Sequence, residues 1–108
     1  MNKFQEWLMN RPSIKSDYCV FCGRPKNSEH HVVPRSQGGS KGATLSVCGF
    51  GNESGCHGLL HSHNLHVNFD EDLNSWIYLY TPVPTKYEKA LQMSGWKLLK
   101  PRGRNGEI

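Results

Sequence analysis

The stretch that decides the fold is EHHVVPRSQGG at residues 29–39, and it is followed downstream by CHGLLH at residues 56–61. The second segment places His57 and His61 four residues apart, a spacing that puts both imidazoles on one face of a helix. There they can bind one divalent ion. The tandem pair His30 and His31 can supply one further ligand and one general base. These four side chains predict a metal site with a proton acceptor beside it.

The length of the chain limits what this site can belong to. The chain has 108 residues and four cysteines, and domains of this size bury a limited core and often need a metal or disulfides. Residues 1–10 contain no apolar run of secretory length, and no stretch approaches a membrane span. We therefore expect a single domain over residues 1–108, monomeric, without a membrane partner and in the reducing cytoplasm, where thiols favour zinc.

The cysteines form one regular and one irregular pair. Cys19 and Cys22 form a Cys-x-x-Cys motif followed by Gly23, which is typical of a zinc knuckle. Cys48 and Cys56 are separated by a glycine-rich segment of seven residues instead of two. We expect one tetrahedral zinc ion held by all four thiolates. The alternatives are two disulfides or buried thiol pairs, and a mixed site that borrows a histidine.

Positive charge is distributed unevenly along the chain. The net charge is +4, and Lys and Arg are concentrated in residues 11–41 and 86–104, with none between Gly42 and Thr85. Basic segments on both sides of a metal site suit a polyanion, since Lys and Arg contacts to phosphates supply most sequence-independent affinity. The candidate nucleic-acid contacts are Arg35, Lys41, Arg102 and Arg104.

Hydrophobic patterning predicts an α+β fold. The first half is expected to contain a helix over residues 3–10, a strand at 32–33, a flexible loop at 36–42, a strand at 44–47 and a helix at 56–64. The second half is expected to contain a hairpin between 65 and 80 with its turn at 70–72. After the hairpin we expect a helix at 86–94, which starts from a capping box at Thr85. A strand at 96–99 and a basic tail at 100–108 are expected to follow it.

The chain combines the motifs His30-His31-x-x-Pro34, Gly38-Gly39, Cys48 and Cys56-His57-x-x-x-His61. This combination is similar to that of the HNH family of nucleases. The resemblance covers residues 19 to about 63. It implies a small ββα-metal core at about residues 19–66, in which two strands and a helix surround one divalent ion. A four-cysteine zinc site would staple this core, and the C-terminal hairpin and helix would be additions to it.

The resemblance also implies a role for each residue that matches the motif. His30 corresponds to the first metal ligand, His31 to the general base, and His57 and His61 to the helix-borne ligands. The implied activity is hydrolysis of DNA phosphodiester bonds, with double-stranded DNA as the substrate. The implied cofactors are a structural Zn²⁺ and a catalytic divalent ion, which is Mn²⁺, Mg²⁺, Ni²⁺ or Zn²⁺. Arg35 is the expected phosphate clamp.

Size and layout resemble phage-encoded HNH proteins that act with the DNA-packaging machinery. That resemblance implies a terminase or portal as partner and the bacterial host cytoplasm as location. One alternative is a non-catalytic zinc module that binds nucleic acid, in which the four histidines form a second structural site. A further alternative is a zinc-scaffolded protein interaction domain.

The chain departs from the family pattern at one position. Ala43 stands where the family has the asparagine that supports the general base. Thr44 is one candidate replacement, and Asn52 is another if the segment between Cys48 and Cys56 folds back. The sequence therefore predicts a complete set of base and ligands but leaves open which residue holds His31.

Overall fold

The computed structural model describes residues 2–51 and 53–99. Within them the chain forms a small α+β domain with few helices and two antiparallel sheets. The helices are α1 (Lys3–Met9), α2 (Gly55–His61) and α3 (Tyr87–Ala90). The strands are β1 (Ser28–His31), β2 (Thr44–Val47), β3 (Leu65–Asp70), β4 (Ser75–Tyr80) and β5 (Lys97–Leu98). Asn52, Arg102, Arg104 and the tail at 100–108 lie outside the described residues.

Helix α1 begins and ends for local reasons. The Asn2 side chain accepts a hydrogen bond from the Gln5 backbone N–H at 2.8 Å, and the Gln5 side chain accepts one from the Asn2 N–H at 3.1 Å. This reciprocal capping box satisfies two N–H groups that the first turn leaves unpaired. The helix stops before Pro12, as predicted from the restriction that proline places on the preceding residue.

The first sheet pairs β1 with β2 and carries the tandem histidines. His30 lies opposite Leu45, and His31 lies opposite Thr44. The prediction of a strand at residues 32–33 was wrong, because the strand ends at His31. The Val32 N–H still donates to the Ala43 carbonyl at 3.1 Å, while Val33 turns into the core and is 2% exposed. Apolar character at 32–33 therefore marked core packing and not the strand itself.

The segment after this strand is hydrogen-bonded, in contrast to the flexible loop that its glycines suggested. Residues Arg35–Gln37 form a single 3₁₀ turn, and Gly38 at its end adopts a left-handed conformation. The Gly39 N–H then donates to the Pro34 carbonyl, and the Gly42 N–H donates to the Gly39 carbonyl, both at 3.0 Å. This chain of turns returns the backbone to β2 and fixes the position of Arg35.

The second sheet has the order β3-β4-β5 and contains the predicted hairpin. Strand β3 pairs with β4 from Leu65↔Tyr80 to Asp70↔Ser75. The aromatic and β-branched run of β4 suits a pleated, half-buried surface. Trp76 packs edge-on against Phe69 at 5.2 Å, and its indole N–H donates to the Pro12 carbonyl at 2.8 Å. These contacts fasten the second sheet to the segment that follows α1.

Helix α3 is shorter than predicted and lacks the expected cap. It ends at Ala90 instead of residue 94, where the Trp96 indole N–H donates to the Ala90 carbonyl at 3.2 Å. The Thr85 hydroxyl donates to the Val83 carbonyl, and Lys86 is the N-cap residue without a side-chain hydrogen bond. The capping box predicted at Thr85 is therefore wrong. The last strand is also shorter, with residues Lys97–Leu98 in place of 96–99.

The core lies between α1, the two sheets and the cysteine-bearing segments. Its largest fully buried side chains are Trp76, Leu45, Leu65, Val47, Cys19 and Ser46. Among the described residues, no helix is both long and apolar enough to cross a membrane.

Leu45 provides a test of this core, because it is 0% exposed and lies directly opposite His30. We expect Leu45→Ala to lower the free energy of unfolding by about 2–5 kcal/mol, since deleting a buried leucine leaves a cavity. Leu73→Ala is the matched control, because Leu73 is 57% exposed and surface substitutions usually change stability by less than about 0.5 kcal/mol. Urea unfolding of the zinc-loaded chain measures both. Equal losses in the two variants would contradict this packing.

Candidate metal centres and the cleft beside them

The four cysteine sulfurs form one cluster. The ligand atoms of Cys19, Cys22, Cys48 and Cys56 all lie within 4.8 Å of one another. A tetrahedral ion with Zn–S bonds of about 2.3 Å requires sulfurs about 3.8 Å apart, and the Sγ atoms of Cys22 and Cys48 are 3.5 Å apart. None of the four is in a disulfide. The cluster can hold a structural metal ion such as zinc, and the alternative of two separate cysteine pairs is wrong because all four sulfurs lie together.

The regular half of the cluster is a knuckle closed by backbone hydrogen bonds. The Gly23 N–H donates to the Cys19 carbonyl at 3.0 Å, and the Cys19 N–H donates to the Arg24 carbonyl. An isolated bridge between Tyr18 and Pro25 closes the base of the turn. This tight turn brings the Cys19 and Cys22 side chains to the same side.

The irregular half depends on two glycines that touch each other. A Cβ atom on Gly49 would lie 1.9 Å from the Ser54 carbonyl oxygen, and one on Gly55 would lie 2.7 Å from the Cys48 carbonyl oxygen. Both glycines also have positive φ, which disfavours other residues. Their contact brings the two ends of the segment between Cys48 and Cys56 together. Seven intervening residues are therefore compatible with adjacent sulfurs.

Hydrogen bonds and burial set the protonation of the cluster. A side-chain hydrogen bond from Cys56 lowers the pKa of Cys19 to about 4, although burial opposes the shift. The Tyr80 hydroxyl lies 3.3 Å from the Cys56 sulfur. Burial raises the pKa of Tyr80, so this hydroxyl stays protonated and can donate to a thiolate. Strand β4 thereby supplies an outer hydrogen bond to the cluster.

A second cluster is formed by three imidazoles. The ligand nitrogens of His30, His57 and His61 lie within 4.8 Å of one another. The ring centres of His57 and His61, one helical turn apart on α2, are 5.0 Å apart, and His30 on β1 completes the triangle at 5.3 and 5.8 Å. Thus β1 and α2 together present three nitrogens that can hold one metal ion.

Burial favours the neutral form of two imidazoles in this cluster. Burial, reinforced by the neighbouring histidines, lowers the pKa of His30 to about 3. Burial also lowers the pKa of His57. Only neutral imidazole can ligate a metal through a ring nitrogen lone pair. His30 and His57 therefore do not have to release a proton near neutral pH before they bind an ion.

Ser28 orients His57 and was missed in the sequence analysis. The Ser28 hydroxyl lies 2.7 Å from the His57 Nδ1 atom and donates to the Gly49 carbonyl, also at 2.7 Å. Its single hydrogen is used on Gly49, so the oxygen accepts from Nδ1–H and leaves the Nε2 lone pair free. The position of Ser28, two residues before His30 on one strand, was a usable signal, because residues i and i+2 share a face.

A cleft of about 410 Å³ opens beside the histidine cluster. Its lining includes His31 and Arg35 together with the three clustered histidines. The general base and the phosphate clamp expected from the sequence therefore reach the same cleft as the expected ligands. Lys41 is exposed but lies outside this lining.

The backbone around His31 shows the surroundings of Ala43, where the resemblance implied an asparagine. Ala43 is 3% exposed and contributes its carbonyl to the Val32 N–H. Thr44 pairs with His31 across the strands, and its own N–H donates to the Ser13 hydroxyl. Within residues 2–51 and 53–99, the Thr44 hydroxyl forms no hydrogen bond. The strand ladder thus holds the backbone at His31, and the Thr44 hydroxyl does not act as the side-chain substitute.

Comparison with family models, curated proteins and solved structures finds no match to this chain. The assignment of a function therefore rests on the residues and their geometry.

Cys22 provides a test of the thiolate site, because it is the exposed member of the cluster. We expect the purified chain to carry one thiolate-bound zinc ion, and Cys22→Ser to weaken zinc binding about a hundredfold or more. At saturating zinc, a hundredfold loss of affinity lowers the free energy of unfolding by about 2.7 kcal/mol. Elemental analysis and chelator titration measure this. Ser36→Ala, which keeps all four thiolates and the Tyr80 hydroxyl and lies in the histidine cleft, should retain the zinc; a zinc-free native protein would contradict the assignment.

Ser28 provides a test of the imidazole site. We expect Ser28→Ala to weaken Ni²⁺ binding by about 10–100-fold, the usual effect of removing an outer hydrogen-bond partner of a ligating histidine. Titration calorimetry on the zinc-loaded chain measures the affinity. Ser28→Thr keeps the hydroxyl and should bind nearly as the parent chain does. Ser36→Ala removes a cleft hydroxyl that forms no hydrogen bond to these imidazoles, so an equal loss in this variant would contradict the role of Ser28.

Proposed function

We propose that the chain is a metal-dependent endonuclease of the HNH type, which hydrolyses DNA phosphodiester bonds to 5′-phosphate and 3′-hydroxyl ends. The observation that carries the proposal is the cleft in which His31 and Arg35 lie beside the cluster of His30, His57 and His61. The order of elements supports it, because two antiparallel strands and a following helix carry the ligands, as the family resemblance implies.

Hydrolysis of a phosphodiester requires an in-line water, an acceptor for its proton and stabilisation of developing negative charge. An ion bound by His30, His57 and His61 would act as a Lewis acid on the phosphate and the leaving oxygen. His31 accepts the proton of the attacking water. A positioned base of this kind contributes about 10²–10⁴ to the rate.

Position in the chain assigns His30 and His31 to different tasks. They are adjacent on one strand, so their side chains point to opposite faces of it. His30 faces α2 and the other two imidazoles. His31 is outside the ligand cluster but lines the same cleft. One ring thus remains free to take a proton while its neighbour holds the ion.

Arg35 is the proposed phosphate clamp. It is the first residue of the 3₁₀ turn that follows Pro34, and it is exposed on the rim of the cleft. A guanidinium can bind two phosphate oxygens at once, which a lysine cannot match. Arg24 is an exposed arginine that lines a different surface pocket, so it serves as a comparison for any assay of Arg35.

The donor set indicates which ions to test. Three imidazoles favour transition ions such as Mn²⁺, Ni²⁺ or Zn²⁺, whereas Mg²⁺ prefers oxygen ligands. The structural zinc differs in kind, since four thiolates select a soft ion. We propose that the catalytic ion exchanges more readily than the structural one.

A non-catalytic, zinc-containing nucleic-acid-binding module is the second candidate function. The observation in its favour is Ala43, because no side chain of the described residues replaces the family asparagine beside His31. Such a module would bind DNA and retain both metals but would not hydrolyse the backbone under any ion.

A plasmid-nicking assay separates the two candidate functions. Supercoiled plasmid is incubated with purified protein and Mn²⁺, Mg²⁺ or Ni²⁺, with and without chelator. We expect metal-dependent nicking that His31→Ala lowers by about 10²–10⁴-fold, because the proton acceptor is lost. His31→Ala should still bind the divalent ion, since His31 is outside the ligand cluster. His57→Ala should lose both nicking and that ion.

The two variants therefore differ in metal content, which elemental analysis measures after loading. Equal nicking by His31→Ala and the parent chain would overturn the general-base assignment. Tight DNA binding without nicking under all three ions would overturn the nuclease and support the binding module.

A further inference from the structure

A second concave surface adjoins the histidine cluster. It is a groove of about 720 Å³ bounded by α1, the segment after β1, α2, β3 and α3. This volume falls within the range of about 300–1,000 Å³ that is typical of small-molecule sites. His30 and His61 line this groove as well as the cleft. The groove therefore adjoins the histidine cleft in which we propose that the phosphate binds.

The walls of the groove suit a flat, uncharged group. They include Phe4, Val32, Leu60 and Leu91, and none of the described residues that line the groove is a lysine or an arginine. Phe4 is 42% exposed and lies 6.1 Å from the Tyr87 ring, measured between ring centres. Aromatic faces of this kind stack on planar groups. A phosphate would find no cation here.

Two buried polar atoms in these walls lack a partner. The Nε2 atom of His66 and the hydroxyl of Tyr87 form no hydrogen bond within the described part of the chain, and His66 is only 5% exposed. Burial raises the pKa of Tyr87 to about 12 and lowers the pKa of His66, so both groups are neutral near pH 7. Leaving buried polar atoms unpaired is costly, and such atoms often mark a site that a ligand completes.

From these observations we propose that the groove receives one unstacked nucleobase of the DNA strand whose phosphate occupies the histidine site. This inference rests on the proposed function. A base is planar and neutral, and its edge carries both donors and acceptors. Rotation of Tyr87 toward the groove would expose its hydroxyl and His66 to that edge. Every phosphate of a DNA strand has a base next to it. This agrees with the observation that His30 and His61 line both the groove and the cleft.

A base-binding groove would restrict the class of DNA that the chain prefers. A base can enter the groove only after it leaves the helical stack, and that step is easiest at a mismatch, a bulge or a single-stranded segment. The chain should therefore prefer such sites to continuous duplex. Specificity would come from the local opening of the DNA, with a contribution from the polar edge of the base.

The test uses short DNA duplexes in which 2-aminopurine replaces one base at a time, because its emission rises when it leaves the stack. The DNA is bound to the zinc- and Ni²⁺-loaded His31→Ala chain, which is expected to bind without cutting. We expect emission to rise about threefold or more at one position, and more strongly in a duplex with a mismatch there. Leu91→Trp in the same background fills the groove and should abolish this rise and weaken DNA binding about tenfold.

Matched variants keep the experiment interpretable. Leu73→Trp adds the same side chain at an exposed site on the turn between β3 and β4 and should behave as the parent does. Tyr87→Phe removes only the unpaired hydroxyl, so it should leave thermal stability equal or higher while it reduces the preference among bases. Thermal unfolding of each variant excludes loss of the fold as the cause.

The outcomes separate this inference from the proposed function. Position-specific emission without plasmid nicking by the parent chain would overturn the nuclease and support the base site. Nicking with uniform emission at every position, or an equal rise in Leu91→Trp, would overturn the base site and leave the nuclease standing. Absence of any DNA binding would overturn both.

Discussion

The structure depends on the hydrogen bond that the His57 N–H donates to the Cys48 carbonyl at 3.0 Å. This bond fixes the first turn of α2 against the end of β2, at the point where Gly49 and Gly55 pack backbone to backbone. Without that contact, Cys56 would not reach the other three sulfurs, and His57 would not face His30. One backbone junction therefore sets the geometry of both candidate metal centres.

Side-chain hydrogen bonds extend this junction in two directions. Ser28 connects the His57 ring to the Gly49 carbonyl, one residue after a thiolate ligand. The Asn27 side chain accepts from the Gly49 N–H at 2.8 Å, so both sides of this glycine are held by the residues that lead into β1. Because Cys48 and Gly49 are consecutive, zinc bound by the four thiolates would be coupled to the orientation of His57 through a short segment of backbone. Loss of zinc would disturb the imidazole cluster without changing any histidine.

Local spacing predicted the parts of the site that depend on a single element. The i, i+4 pair His57 and His61 follows from helix geometry, and the pairing of Cys19 with Cys22 follows from their Cys-x-x-Cys spacing. Features that depend on two distant segments were not predictable in the same way. The groove beside His30, the role of Ser28 and the early end of α3 under Trp96 are set by tertiary packing. The strand misplaced at 32–33 has the same cause, because the buried Val33 and the partly buried Val32 pack against the core without belonging to a strand.

The two candidate ligand sets differ in burial and in their connection to the fold. Three of the four cysteines are buried, and they join the knuckle to α2, so an ion bound there contributes directly to folding. The histidine cluster lies next to an open cleft, and its nitrogens are held in place by β1, α2 and the Ser28 hydroxyl even before an ion binds. Because of this preorganisation, an ion bound by the three imidazoles would not have to assemble its own site.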